Sequence, residues 1–184
     1  DAFRVSFTAF CALLDGRMPS VREIAESIEM PLSDLETLVS TLSEQGRLTL
    51  NETGTLITGA GGLSLAESRH TLDMLGRRYW VWCALDAVGI PAGLDVDATV
   101  YSRCDDTAQP VEIEIAAGEL RHSRPERLVL SLLPPTLERS LRDCCCSEIN
   151  FFADAGRLPA STTPVTIEEA MQLGSQLWRD SVPL

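Results

Sequence analysis

The chain has 184 residues, a formal net charge of -12 and 45% hydrophobic residues, and its 15 basic residues are all arginine. This length permits one domain of generous size or two small ones, and the apolar content is sufficient for a packed core. Because a net negative protein repels phosphate backbones and anionic lipid surfaces, the composition argues against nucleic acid and membranes as partners.

The chain is expected to be cytoplasmic. It has no stretch near the ~20 consecutive apolar residues that a membrane-spanning helix needs. Asp1 is not followed by the basic region and cleavage site of a signal peptide. In a reducing cytosol the cysteines are expected to be thiols or metal ligands, and the absence of a C-x-x-C pair argues against a zinc ribbon or finger. The six are Cys11, Cys83, Cys104, Cys144, Cys145 and Cys146.

The first sixty residues have the order of elements of a winged helix. Apolar residues at helical spacing predict a first helix over 3–14, and two capping boxes predict the starts of a second and a third helix. The capping pairs are Ser20 with Glu23 and Ser33 with Glu36. Gly46 is expected to end the third helix. Segments 48–50 and 56–58 then flank a hairpin turn.

In a winged helix the third of these helices, from Ser33 to Gln45, would contact DNA. It carries Asp34, Glu36 and Glu44 and has no basic residue. Contacts to bases and phosphates favour Arg, Lys, Asn or Gln on such a surface. We therefore favour a structural or lid role for residues 1–60 over nucleic-acid binding.

A glycine-rich joint at 59–62 separates this segment from the rest of the chain, and the composition changes after it. We predict a winged-helix-like domain at 1–60, a linker at 61–70 and a catalytic core at 71–184. The core is expected to begin with a largely buried helix over 72–88, because apolar and aromatic residues occupy most of its sides. Pro91 is expected to end that helix.

The rest of the core is predicted to combine a small sheet with two further helices. Strands are expected at 99–103, 111–115, 127–133 and 149–153, the second from its strict alternation of apolar and acidic residues. A short helix is expected at 137–142, and Thr166 with Glu169 caps a final helix. Its predicted inward face consists of Ile167, Ala170, Met171, Gly174, Leu177 and Trp178. The predicted fold class is α+β, a winged-helix-like three-helix segment followed by a mixed helix and small β-sheet core.

Cys83 and Asp86 lie three residues apart in the predicted helix, so their side chains share one face with Cβ atoms about 5–6 Å apart. A carboxyl group is unexpected in such an apolar segment. Burial makes it costly to ionise, and a neighbouring thiol gives it a proton to exchange. The alternative is that Asp86 lies at an exposed edge and Cys83 fills the core, since free cysteines are commonly buried.

The run of three cysteines at 144–146 is the second unusual feature. In a strand, adjacent residues point to opposite faces, so at most Cys144 and Cys146 face one site. One interpretation is that these are buried or incidentally exposed thiols. The other is that Cys146 meets Cys83 in a two-thiolate site, which would select soft cations such as Cu(I), Zn or mercury.

Four segments combine these residues into a wider pattern. They are Tyr79-x-x-Trp82-Cys83-Ala84-Leu85-Asp86, Ser102-x-Cys104-x-x-Thr107-x-x-Pro110-Val111, Cys146-x-x-x-x-Phe151-Phe152-Ala153 and Glu169-Ala170-x-x-Leu173-Gly174. With these residues in this order and at these spacings, the four segments resemble those of the organomercurial (alkylmercury) lyase family. The resemblance runs from about Tyr79 to the C-terminus, with a weaker fit of the segment before it.

The resemblance implies that Cys83 and Cys146 bind mercury, that Asp86 transfers a proton and that Cys104 is structural. The expected reaction is protonolysis of R–Hg⁺, which gives R–H and dithiolate-bound Hg²⁺ and contributes to mercury resistance and detoxification. It implies no cofactor, an external thiol for Hg²⁺ release, and handover of Hg²⁺ to a mercuric reductase. The alternative is a non-enzymatic thiolate metal-binding or metal-sensing winged-helix protein on the same fold. Cys11, Cys144 and Cys145 receive no role.

Overall fold

Residues 1–133 and 146–181 are described by the structure, which is a computed structural model of the chain. The short helix expected at 137–142, together with Cys144 and Cys145, lies outside these residues. Within them the fold is α+β, as predicted, with helices packed around antiparallel sheets. In the described part of the chain, no helix combines the length and the apolar character needed to cross a membrane.

The N-terminal helices form where their capping signals place them, with one exception. They are α1 (Ala2–Leu14), α2 (Val21–Ser27) and α3 (Leu32–Glu44). The capping box of α2 is complete, because Ser20 and Glu23 each accept a hydrogen bond from the other's backbone N–H. The box predicted for Ser33 and Glu36 is wrong, since α3 begins two residues earlier than it would with Ser33 as N-cap, at Leu32 after Pro31. Proline suits a helix start because it has no N–H to leave unpaired.

An eight-stranded antiparallel sheet follows and crosses the predicted domain boundary. Its first strands are β1 (Leu48–Leu50), β2 (Ile57–Ala60) and β3 (Leu63–Ser64). The glycine-rich joint is a tight turn between β2 and β3, in which Gly61 and Gly62 have φ of 55° and 84°. The predicted linker at 61–70 therefore contains β3 and the first residue of β4. The division into domains stays a prediction.

The helix predicted over 72–88 is wrong, because most of this segment is a hairpin. It consists of β4 (His70–Met74) and β5 (Arg77–Val81), and only afterwards does α4 (Ala84–Leu94) begin. Burial alternates along both strands, which is the period of two that a half-buried sheet requires. The turn residues Leu75 and Gly76 both have positive φ, as two-residue hairpin turns favour. Pro91 lies inside α4 rather than ending it.

The remaining strands complete the large sheet and form a small one. The large sheet ends with β6 (Ala98–Arg103), β7 (Pro110–Ala116) and β8 (Glu119–Arg124), in the order β1-β2-β3-β5-β4-β6-β7-β8. The small sheet contains β9 (Val129–Leu132), β10 (Phe151–Phe152) and β11 (Thr163–Thr166), with β9 in the centre. The alternation predicted for β7 is confirmed, whereas β8 and β11 were not predicted. Both are rich in polar residues and carry little periodic signal.

The last helix, α5 (Ile167–Ser181), packs directly on α4. Gly89 and Gly174 meet at the crossing, where a Cβ added to either would lie within 3 Å of the other's backbone. The predicted Thr166–Glu169 capping box is formed. Most of the predicted inward face is buried or half-buried, but Leu177 is 59% exposed, so its assignment to that face is wrong. This packing fixes the position of α4, whose first turn carries the candidate site.

Candidate active site

The N-terminus of α4 brings Cys83 and Asp86 together. Cys83 is the N-cap, with extended backbone, and its Sγ accepts a hydrogen bond of 3.5 Å from the backbone N–H of Asp86. The two residues thus occupy the first and last positions of a capping box, the positions that Ser and Glu usually hold. Their proximity was predicted, but from a shared helix face. That local reason is wrong, because Cys83 lies before the helix.

Cys146, which is distant from Cys83 and Asp86 in sequence, lies at the same site. One ligand atom from each of Cys83, Asp86 and Cys146 lies within 4.8 Å of the other two. The Cys83 thiol donates a hydrogen bond of 3.1 Å to Oδ2 of Asp86. Cys83 is 2% exposed, whereas the other two residues are half-buried. We call these three residues the Cys–Asp trio.

Backbone hydrogen bonds and a buried serine position the segment that begins at Cys146. The N–H of Ala84, the first residue of α4, donates to the carbonyl of Ile149 at 3.0 Å. Ser131 of β9 donates through its hydroxyl to the carbonyl of Glu148 and accepts from the N–H of Asn150. The side chain of Asn150 donates in turn to the carbonyl of Ser147. The second cysteine is therefore anchored to both the helix start and the small sheet.

Burial and neighbouring charge shift the acidity of two members of the trio. Burial raises the pKa of the Asp86 carboxyl to about 6, from an ordinary value of 3.8. Burial also raises the pKa of the Cys83 thiol well above its usual range, with the hydrogen bond to Cys146 and the negative charge of Asp86 adding to it. At neutral pH, Cys83 therefore carries a proton, and the carboxylate beside it can receive that proton.

This arrangement has two chemical capacities. Two sulfurs and a carboxyl oxygen so close together can bind one soft metal ion. The contact between the thiol and the carboxylate is also a direct path for a proton. Since both residues lie at the N-terminus of an 11-residue helix, the positive end of the helix dipole favours negative charge on either of them.

Cys104 and Cys11 lie apart from the trio. Cys104 is 1% exposed at the end of β6, where its N–H donates to the carbonyl of Gln109 and the next residue pairs with the carbonyl of Phe151. It is not a member of the metal-capable cluster that the described residues contain. Its structural role stays a prediction. Cys11 is a half-buried thiol of α1.

Sequence reasoning missed a polar group that adjoins the segment following Cys146. We call His70, Ser102, Ser131 and Asn150 the polar network. Nδ1 of His70 and Oγ of Ser102 lie 2.8 Å apart, and the imidazole packs edge-on against Phe151. His70 is 2% exposed. A histidine at an inward position of an alternating strand was the available signal, but His70 was assigned to the predicted linker at 61–70 and the alternation after it to a helix.

The chain is similar to proteins of one enzyme family. A family model described as alkylmercury lyase matches residues 63–179, which is more than half of the chain. An alkylmercury lyase of Pseudomonas putida is 35% identical over 119 residues, which cover 61% of this chain and 56% of that protein. An alkylmercury lyase of Streptomyces lividans is 30% identical over 176 residues, which cover 90% of this chain and 77% of that protein.

A solved structure shares the fold. The crystal structure of the mercury-bound form of MerB2 superposes with a TM-score of 0.89, covering 98% of this chain and 91% of that chain. The sequence identity is 21%, so the likeness concerns the fold alone. The helix order and the antiparallel sheets described above are therefore those of a known protein architecture.

Proposed function

Because the chain belongs to the alkylmercury lyase family, we propose that it cleaves the carbon–mercury bond of R–Hg⁺. The products are R–H and Hg²⁺ bound by two cysteine thiolates. The observation that carries this proposal is the approach of Cys83, Asp86 and Cys146 to within 4.8 Å of one another. Family membership does not favour the alternative of a non-enzymatic metal sensor.

The first step is capture of mercury by sulfur. As the metal binds Sγ of Cys83, the S–H bond breaks and its proton moves 3.1 Å or less to Oδ2 of Asp86. The raised pKa of the Asp86 carboxyl, about 6, makes it a competent acceptor close to neutral pH. Cys146 supplies the second sulfur ligand from within 4.8 Å. A thiolate is a strong donor to such a soft metal.

The second step is protonolysis. Two sulfur ligands push electron density into the carbon–mercury bond while Asp86 gives its proton to the carbon. The electron pair of the C–Hg bond forms the new C–H bond, and mercury stays Hg²⁺. One R–Hg⁺ and the two cysteine thiols give one R–H, one Hg²⁺ bound by two cysteine thiolates and one H⁺, which is the proton of the second thiol, so atoms and charge balance. The reaction needs no redox partner.

The product must leave the two sulfurs before another cycle. We propose that external thiols exchange with Cys83 and Cys146 and remove Hg²⁺, with handover to a mercuric reductase as the following reaction. Thiolates exchange readily on a soft metal, and a reducing compartment supplies them in excess. On this ground we also propose that the protein acts in the cytoplasm and without a cofactor.

The N-terminal segment is proposed to be a winged-helix-like unit with a structural or covering role. Phe10 of α1 packs against Trp178 of α5, with ring centroids 4.9 Å apart, so the segment contacts the helix that supports α4. The exposed surface of α3 carries Asp34, Glu36 and Glu44. Such a surface repels phosphate, which supports a role other than nucleic-acid binding.

The experiment is to incubate the protein with a phenylmercury salt and excess thiol and to measure benzene by gas chromatography. We expect Cys83→Ala to reduce benzene release by about 10³-fold or more, as removal of an activated nucleophile does. Cys104→Ala is the matched control, since both thiols are almost completely buried, at 2% and 1% exposure. Cys146→Ser is matched in the same way by Cys11→Ser, because both residues are half-buried.

The controls decide between chemistry and folding. Both control variants are expected to keep most of the activity, although Cys104→Ala lowers the thermal stability. Equal loss in Cys83→Ala and Cys104→Ala would attribute the effect to packing and remove the support for the trio. A wild-type protein that binds Hg²⁺ but releases no benzene would contradict the proposed function itself.

A further inference from the structure

The turn between β2 and β3 lies directly on the Asp86 carboxyl group. Gly62 is buried in this turn with φ of 84°. A Cβ added to it would lie 2.5 Å from both Cγ and Oδ1 of Asp86 and 2.9 Å from Oδ2. Its three nearest atoms would thus all belong to the carboxyl group. A residue with a side chain cannot occupy this position unless the carboxyl group or the turn moves.

The turn is held in place on several sides. The carbonyl of Gly62 accepts a hydrogen bond of 2.9 Å from the N–H of Trp82, the residue before Cys83. Strand β3 pairs with β5, which leads into Cys83. On the other side, a Cβ on Gly61 would lie 2.8 Å from the ring of Trp178. Since the turn is fixed between these neighbours, an added side chain at 62 would displace the carboxyl group more readily than the turn.

We infer that Gly62 is a positioning residue for the proton transfer: its bare Cα holds the Asp86 carboxyl group against Cys83 and closes that side of it to water. The catalytic consequence of this inference rests on the proposed function. The carboxyl group lies between two fixed neighbours, the Cys83 sulfur at 3.1 Å and the backbone of Gly62. A shift of about 1 Å in a reacting group is enough to cost about 10²-fold in rate.

The chain offers a matched control for the substitution Gly62→Ala. Gly76 has a similar φ of 71° in the turn between β4 and β5, and no heavy atom lies within 4 Å of a Cβ added there. Gly76→Ala therefore has the same unfavourable backbone conformation without contact to a side chain. Any excess effect of Gly62→Ala over Gly76→Ala measures the collision with the carboxyl group.

The kinetic test is single-turnover release of benzene from phenylmercury in the two variants. We expect Gly62→Ala to slow release by about 10²-fold, whereas Gly76→Ala keeps the wild-type rate. Stoichiometric Hg²⁺ binding, followed by thiolate-to-mercury absorption, should be intact in both. A Gly62→Ala protein that releases benzene at the rate of Gly76→Ala would overturn the inference. So would one that loses Hg²⁺ binding together with release, because the effect would then not be confined to the carboxyl group.

A thermal unfolding cycle tests the same contact without using activity. In the wild-type background, Gly62→Ala should lower Tm more than Gly76→Ala does. In an Asp86→Ala background, where the colliding carboxyl group is absent, the two substitutions should lower Tm equally. This arm remains informative if Gly62→Ala alone does not fold, because the double variant is expected to fold.

The two arms separate the inference from the proposed function. If the wild-type protein releases no benzene, the proposed function fails, and the unfolding cycle alone decides whether Gly62 positions the carboxyl group. An excess Tm loss that persists without the Asp86 carboxyl group would overturn the inference even in an active enzyme.

Discussion

The Cys–Asp trio and the polar network each contain a titratable group whose pKa is shifted by burial, and the two shifts have opposite directions. Burial lowers the pKa of His70 to about 4, with Arg69 adding to the effect, so the imidazole is neutral near pH 7. Burial raises the pKa of Asp86 to about 6. The same physical cause, loss of water, opposes a positive charge in one group and a negative charge in the other.

The two groups differ in the side chain that contacts the residue with the shifted pKa. His70 faces the hydroxyl of Ser102, which is a partner for a neutral ring. Asp86 faces the Cys83 thiol, which donates a hydrogen bond to its carboxyl group and which is the proton donor in the proposed reaction. A shifted pKa therefore does not identify a reactive group by itself. A shifted acid that is hydrogen-bonded to a thiol is the stronger candidate, because the two groups can exchange a proton.

The largest effect is expected from removal of the proposed proton acceptor, which tests this distinction. Asp86→Asn should reduce benzene release by about 10²- to 10⁴-fold, the range for loss of a general acid or base. Hg²⁺ binding should persist, because both sulfurs remain. Asp106→Asn is the matched control, since Asp106 is also a poorly exposed carboxylate, at 16%, but pairs with Arg157 outside the trio. Equal activity of the two variants would remove Asp86 from the reaction.

The next largest effect concerns the acid stability of the protein and tests whether the polar network holds His70 neutral. Because the pKa of His70 is lowered to about 4 in the folded chain from an ordinary 6.5, the unfolded chain binds more protons between these values. This residue therefore costs stability as pH falls from 6.5 to 4, by roughly 2 to 3 kcal/mol in total. His70→Gln should reduce that loss, measured by urea unfolding at pH 7 and pH 4.5. An unchanged acid dependence would show that His70 is not held neutral.

The sequence predicted much of the local structure around these groups, for reasons that lie in neighbouring residues. The capping boxes at Ser20 and Thr166 and the alternation of β7 depend on contacts within one or two turns, and they are confirmed. The hairpin of β4 and β5 was mistaken for a helix. Its adjacent aromatic residues Tyr79 and Trp80 lie on opposite faces of β5. The sequence therefore shows no alternation of apolar and polar residues at this point.

The Cys–Asp trio was identifiable only in part from the residues themselves. Cys83 and Asp86 are close in the chain, and the anomaly of an acid in an apolar segment singled them out. Cys146 joins them through hydrogen bonds from Ala84 and Ser131, which connect segments far apart in sequence. Spacing along a chain does not encode such contacts, so only the family resemblance predicted this convergence. Gly62 carried no signal at all.

A smaller effect should appear in the stability of Asp86→Asn, with a pH dependence opposite to that of His70. Since the pKa of Asp86 is raised from 3.8 to about 6 on folding, the folded chain binds more protons between these values. Stability is therefore lost as pH rises through this window, and the loss persists above it. Asp86→Asn should raise the free energy of unfolding at pH 8 by roughly 1 to 3 kcal/mol, and by much less at pH 4. A variant that is less stable at pH 8 would contradict the burial penalty.

The smallest effect is expected at the exposed edge of the polar network, where Arg69 lies. Its guanidinium pairs with Asp105 and donates to Asn150, but the ion pair is solvent-exposed, with side-chain exposures of 38% and 41%. Arg69→Gln should therefore change the free energy of unfolding at pH 7 by less than about 1 kcal/mol.

Arg69→Gln should also raise the pKa of His70, because the positive charge of Arg69 is the second cause that lowers it. The pKa should stay below 6.5, since burial is the larger cause and remains. NMR titration of the imidazole measures this shift, with His70→Gln to assign the resonance, and added salt should diminish the difference between variant and wild type. A His70 pKa that falls in Arg69→Gln would contradict the assignment of the Arg69 charge as a cause of the lowered pKa.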